Sequence, residues 1–189
     1  MSDSYPVSEH THAPPPAAAR AAPRIGAIIL AAGASTRLGH PKQLLLHDGQ
    51  PLVSRAALAA LHAGLAPVIV VLGAHAAAIR PALANLGVIV VENISWPEGL
   101  GASIRAGIGA LDTHAPALPG VLLALCDQPH FTAASVERLL HAFAAPGITI
   151  AATNYEKIPG VPALFSSTHF PALRKLGGAE GARPVIGAH

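Results

Sequence analysis

Two cations and one carboxylate occupy positions where chemistry could be done. Arg37 and Lys42 close a run of small residues, Ala31-Ala32-Gly33-Ala34-Ser35-Thr36-Arg37-Leu38-Gly39-His40-Pro41-Lys42, which follows the apolar run Ile25–Leu30. Small side chains let backbone N–H groups approach an anion closely. A guanidinium and an ammonium then neutralise phosphate charge. The same run also reads as an ordinary strand-to-helix turn with two solvated cations. It is not a P-loop, because Lys42 does not follow Gly39 directly, and Gly-x-Gly-x-x-Gly is absent from it. Gly99-Leu100-Gly101 comes closer to that fingerprint but follows a Trp-Pro-Glu loop rather than a strand. Asp127 ends the apolar run Val121–Cys126. A carboxylate there can hold a hard cation such as Mg²⁺, with waters completing the shell, or it can form a turn ahead of Pro129. A polyphosphate on the same rim favours the metal, because its negative charge repels an anionic attacker.

Other reactive side chains carry weaker signals. Cys126 follows apolar residues and reads as an inert strand thiol. The 11 histidines are dispersed without ligand spacing. Trp96 is a loop anchor or a lid residue. Arg105, on an otherwise apolar helix, either forms a surface ion pair or points at the same rim.

The elements that must position these groups are legible as alternating patterns. Ile25–Leu30, Val68–Leu72, Val88–Val91, Val121–Leu125 and Ile148–Ala152 lack clean alternation, so each is expected to be a strand buried on both faces. Between them lie helical stretches. Pro51–Ala63 sets Leu58 and Leu61 three apart. Gly101–Leu111 aligns Ile104, Ile108 and Leu111. Thr132–Ala144 opens on a capping Thr132 and puts Val136, Leu139, Leu140 and Phe143 on one face. Such alternation predicts a mostly parallel sheet covered on both sides, with ligands beyond the carboxyl ends of its strands. Asn154–His189 is the least regular stretch, where the sheet is expected to continue antiparallel.

The 189 residues suit one domain plus an appendage. Residues 1–22, rich in Pro and Ala, read as a disordered tail without an apolar signal core, and 23–189 as the domain. Hydrophobic residues make up 51% and charged residues 12%, which excludes disorder for the body of the chain. A net charge of +2 is too even for binding nucleic acid by bulk charge. One cysteine excludes an internal disulfide and fits a cytoplasmic protein. Ala56–Ile79 holds no Asp, Glu, Lys or Arg, yet His62, Gly64, Pro67, Gly73 and His75 interrupt it. It reads as helix, turn, strand and turn rather than a membrane span.

Four segments in order carry a family resemblance. They are Leu30-Ala31-Ala32-Gly33-x-Ser35-x-Arg37-Leu38-Gly39-x-Pro41-Lys42-Gln43-Leu44-Leu45; Glu92-Asn93 through Glu98-Gly99-Leu100-Gly101-x-Ser103-Ile104; Leu125-Cys126-Asp127-Gln128-Pro129; and Gly160-Val161-Pro162-Ala163-Leu164-Phe165. Together they resemble the MobA-like NTP transferases, and among these the molybdenum cofactor cytidylyltransferases. The resemblance spans Ile25–Arg183. It implies a Rossmann-like three-layer α/β/α nucleotide-diphospho-sugar transferase fold. It implies transfer of CMP from CTP to the phosphate of molybdopterin with release of pyrophosphate, and Mg²⁺ as cofactor.

Carried over by motif, Leu30, Ala31, Ala32, Gly33, Ser35, Arg37 and Lys42 hold the triphosphate end. Gly73 and Asn93 lie where the family holds base and ribose, and Ser103 near the substrate phosphates. Asp127 binds the metal. Gln128, Gly160, Val161, Pro162 and Arg183 face the acceptor. Alanine at the position of Ala32 goes with cytidine in this family, and glycine with guanosine. A molybdoenzyme or its maturation chaperone is the implied partner.

There are two departures. The family's Gly-Asp-x-Gly-Ala-Arg stands here as Gly178-Ala179-Glu180-Gly181-Ala182-Arg183, without the Asp. The sequence ends at His189, short of the family's Asp-x-Asp-Thr-Pro with its second metal ligand, which predicts weaker Mg²⁺ binding. Guanylyl or sugar-phosphate transfer, and a non-catalytic molybdopterin or nucleotide carrier, therefore stand as alternatives.

Overall fold

The computed structural model describes residues 24–189. The expected tail at 1–22 lies outside the described residues. The main sheet has six strands in the order β5-β4-β1-β6-β8-β7. Four are parallel: β1 (Gly26–Ala31), β4 (Val68–Leu72), β5 (Ile89–Glu92) and β6 (Gly120–Leu125). The last two, β7 (Ile150–Tyr155) and β8 (Ile158–Ser166), form an antiparallel hairpin whose β8 pairs with β6. A small ribbon of β2 (Leu46–His47) and β3 (Gln50–Pro51) follows the first loop.

Helices cover both faces. Helices α1 (Leu52–His62) and α4 (Ala133–Phe143), with the short α2 (Ala76–Ile79), pack on the face carrying Ile29, Val70, Leu122 and Ala124. Helix α3 (Leu100–His114) and the short α5 (Phe170–Arg174) and α6 (Arg183–Gly187) pack on the face carrying Ile28, Leu30, Val71 and Leu123. This is the expected three-layer α/β architecture. The registers Ala31↔Leu72, Leu72↔Glu92 and Leu30↔Leu125 bring the carboxyl ends of all four parallel strands to one rim.

Two expectations need correction. Strands β5 and β7 are the sheet's two edges and are only partly buried, whereas the inner parallel strands β1, β4 and β6 are almost wholly enclosed. On α1 the buried face is Val53, Ala56, Ala57 and Ala60, while Leu58 and Leu61 stay half-buried. Small alanines let the helix approach the sheet closely, and the leucines pack along its flank. The expectation that the sheet continues antiparallel in the least regular stretch holds: residues 158–166 form β8, antiparallel to both β6 and β7. Helix α4 starts as its sequence predicts: Ser135 N donates to Thr132 Oγ1 at 3.3 Å and Thr132 N donates to Ser135 Oγ at 2.9 Å. Ile104, Ile108 and Leu111 of α3 are each at most 1% exposed. Residues 56–79 form helix, turn, strand and turn, followed by the short helix α2. Among the described residues no helix is long and apolar enough to cross a membrane.

Candidate active site

Because β1 and β6 are neighbours, the loop after β1 and the residue after β6 meet. Lys42 Nζ donates to Asp127 Oδ2 at 2.5 Å, although 85 residues separate them in sequence. Both side chains are partly exposed, 40% and 29%, so the pair stands in contact with solvent. A cavity of about 300 Å³ opens above it, floored by Ala31–Gly33 and flanked by the amino end of α3 at Gly99, Leu100 and Ser103. Arg37 is exposed on the same loop and lines an adjoining open groove with Ser35, Thr36 and Lys42. Arg37 and Lys42 thus share one loop surface, and of the two, Lys42 makes the contact to Asp127.

The loop is held from below by Gln43, which is 0% exposed. Its Nε2 donates to Ala31 O at 2.9 Å and Gly33 O at 2.8 Å, and Ser35 Oγ accepts from Lys42 N at 3.1 Å. A buried amide with two carbonyl partners fixes the loop as firmly as a strand would, since leaving those carbonyls unpaired is costly. This fixing residue stood in the first motif without an assigned role.

Gly73 and Asn93 sit at the ends of β4 and β5. A Cβ on Gly73 would lie 2.6 Å from Trp96 Cβ and 2.8 Å from Ala32 Cβ, so only glycine fits. Asn93 is buried and fully engaged: Nδ2 donates to Ser103 Oγ at 3.1 Å and Oδ1 accepts from Ser95 N at 3.0 Å. It shapes the Trp96–Gly99 turn, and Ser103 reaches the cavity lining. Arg105 forms the ion pair foreseen as one of its two readings. It meets Glu98 Oε2 at 2.8 Å and also donates to Leu176 O at 2.6 Å, clasping that turn to the segment after α5. Glu180 turns into its own loop, accepting from Gly177 N at 2.6 Å.

A second cavity, about 520 Å³, begins at Asp127 and extends between α4 and the β7–β8 hairpin. Gln128 Nε2 donates to Val161 O at 2.8 Å and to Tyr155 Oη at 3.1 Å, and Tyr155 Oη donates to Val161 O at 3.0 Å. This knot forms a wall that also includes Pro162. Gly160 lies under the Tyr155 ring, with 3.7 Å from its added Cβ to the ring. Arg138 and Ser135 line the cavity from α4, and neither signalled this in the sequence, because α4 and the hairpin meet only in the folded chain. Arg183 is exposed at the start of α6 and lines neither cavity. Cys126 is buried beneath the first cavity. Burial, and then the Asp127 charge, push its thiol up to about 12, so it carries no thiolate at neutral pH.

Asp127 is a hard oxygen donor, partly open to solvent, between the two cavities. That fits a divalent cation sharing phosphate oxygens and water with a single protein carboxylate. No cluster of three or more His, Cys, Asp or Glu able to hold a metal alone occurs among the described residues.

Several known proteins are similar to this chain in sequence and in fold. Nicotine blue oxidoreductase of Paenarthrobacter nicotinovorans is 37% identical over 172 residues, 87% of this chain and 82% of that protein. The crystal structure of Rv0371c from Mycobacterium tuberculosis H37Rv superposes with a TM-score of 0.74 at 34% identity, covering 88% of this chain and 84% of that one. A manganese complex of Rv0371c is also similar, with a TM-score of 0.70 and 32% identity over 87% of this chain and 82% of that one. A nucleotidyl transferase from Methanothermobacter thermautotroptrophicus matches with a TM-score of 0.70 at 26% identity, covering 86% and 80%. Residues 27–189 match the MobA-like NTP transferase domain, and the chain belongs to that family of NTP-dependent nucleotidyltransferases.

Proposed function

We infer that this protein transfers CMP from CTP to the phosphate of a molybdopterin acceptor and releases pyrophosphate. The observation that carries this reading is that Asp127 lines both cavities while paired with Lys42. One cavity lies over the phosphate-type loop and the other between α4 and the hairpin, so their junction suits a reaction between two bound molecules. The acceptor's phosphate oxygen forms a bond to the α-phosphorus in line, and the bond from that phosphorus to the bridging oxygen of pyrophosphate breaks. The loop backbone and Lys42 balance the triphosphate charge, and Arg37 approaches from the outer groove. Asp127 would hold Mg²⁺ or Mn²⁺, which supplies charge neutralisation for the phosphates. Catalysis is then positioning plus electrostatic stabilisation. The choice of CTP rests on Ala32, and the choice of acceptor on the resemblance of the four motifs. A molybdoenzyme or its maturation chaperone is the proposed recipient of the product.

Calorimetry with CTP, GTP and molybdopterin, followed by a pyrophosphate-release assay, tests this. Molybdopterin-dependent release with CTP is the expected result. Release with GTP alone overturns the cytidine assignment, and binding without release favours a carrier. The relative named nicotine blue oxidoreductase favours one further reading, a redox activity. That reading requires substrate-dependent redox turnover, followed by absorbance, without pyrophosphate release, and the two assays run side by side separate them.

A further inference from the structure

Trp96 stands where two open spaces meet. It lines the 300 Å³ cavity above Ala31–Gly33 and also the wider groove bounded by His75, Ala76 and Glu92. It is therefore the partition between them. A tryptophan is the largest apolar side chain, yet this one is only partly buried. Its backbone is fixed on every side. Trp96 N donates to Asn93 O at 3.3 Å, the buried Asn93–Ser103 pair anchors the turn, and the Glu98–Arg105 ion pair closes it. Its Cβ is pressed against the bare Cα of Gly73, so it cannot retreat toward β4. This is a partly buried tryptophan on an anchored turn that lines a cavity, which is how a stacking platform is built.

We propose that Trp96 is the specificity-determining wall of the nucleotide cavity, against which the nucleobase of the NTP packs. The assignment rests on the nucleotidyltransferase reading above and adds the residue that selects the base. Ala32 and Trp96 both line this cavity. On this proposal the smaller pyrimidine packs between them, and a purine would need Trp96 to give way.

The chain has one tryptophan, so its emission under tryptophan-selective excitation reports this site alone. In the unmodified full-length protein, CTP should change that emission, while inorganic tripolyphosphate, which has no base, should leave it unchanged. Trp96→Ala should raise KM for CTP roughly tenfold, the scale of losing one base–aromatic stack. Its kcat should stay within about twofold, because the contact is the same in ground and transition states. The ratio of CTP to GTP turnover should narrow, and Trp96→Phe should restore most of the CTP affinity. Calorimetric binding of CTP with unchanged emission overturns the proposal, as does an equal response to tripolyphosphate. So does a Trp96→Ala enzyme with unaltered KM and base ratio. Those results leave nucleotidyl transfer standing, whereas failure of every NTP to bind removes both. If Trp96→Ala does not fold, the emission of the unmodified protein still decides.

Discussion

The two cavities that meet at Asp127 are built from different material. The first cavity, where we propose the NTP binds, adjoins the parallel half of the sheet. Small residues form its floor at Ala31–Gly33 and its edge at Gly99, with the Gln43 amide holding two carbonyls beneath, while Trp96 and Leu100 stand at its side. Next to Leu100, Gly101 shows how tightly the loops meet, since a Cβ there would lie 1.9 Å from Gly177 O. The second cavity, where we propose the acceptor binds, lies against the antiparallel half and is lined by larger side chains: Gln128, Tyr155, Arg138, Phe131 and Pro162. Backbone recognises what every NTP shares, its phosphates. Side chains can change one at a time and so suit a particular acceptor. On the proposed function, the comparison assigns phosphate handling to the parallel half and the choice of acceptor to the hairpin and α4.

Substitutions can break this division, and the largest effect belongs at the junction. Asp127→Ala, Lys42→Ala and Arg37→Ala should each lower kcat by about 10²–10³, the range for removing one preorganised charge contact. Asp127→Ala with near-normal turnover in Mg²⁺ would remove the metal assignment. Next comes Gly101→Ala, which must part the 99–101 and 177–181 loops. Overpacking of this kind costs about 1–3 kcal/mol, and thermal melting together with a raised KM for the NTP should show it. Gln43→Leu keeps the volume and removes the donor. The two orphaned carbonyls should lower stability by about 1–3 kcal/mol in a denaturant titration, and KM for the NTP should rise more than KM for the acceptor.

The smaller tests fall on the other half and outside both. Tyr155→Phe deletes the hydroxyl shared with Gln128 and Val161. A neutral hydrogen bond nets about 0.5–1.5 kcal/mol, so KM for the acceptor should rise a few-fold while KM for the NTP holds. An equal rise in both would erase the proposed division of labour. His169 lies apart from both cavities, buried with Nε2 unpartnered and 4.5 Å from the His189 ring. Burial, and then His189, hold its pKa below the usual histidine value of about 6.5. The unfolded chain therefore takes up this proton first as pH falls. The stability from neutral His169 is fully present above the unfolded value and is lost as pH drops through the folded one. Melting temperature should decline below about pH 6.5, and His169→Phe should flatten that decline without changing either KM.

Much of this architecture was legible before any coordinates. Apolar runs without alternation marked the inner parallel strands, because a strand covered on both faces has no polar side to show. Thr132 announced the start of α4 through a local bond to Ser135, three residues away. Residues following each run were gathered at one rim because parallel strands end on the same side. The same logic found the edge strands β5 and β7 but overstated their burial, since each has a neighbour on one side only. The face of α1 escaped the sequence pattern, because alanines rather than leucines lie against the sheet.

The sequence by itself determined the alternation of elements and the order of reactive groups along the chain, because those depend on neighbours a few residues apart. Tertiary structure alone decided that Lys42 closes on Asp127, that Gln43 turns inward beneath the loop, that Arg105 clasps Glu98 and that Trp96 divides two cavities. Each of these contacts depends on how neighbouring loops and elements pack, and local propensity is blind to packing. It carries no term for what a folded neighbour will present.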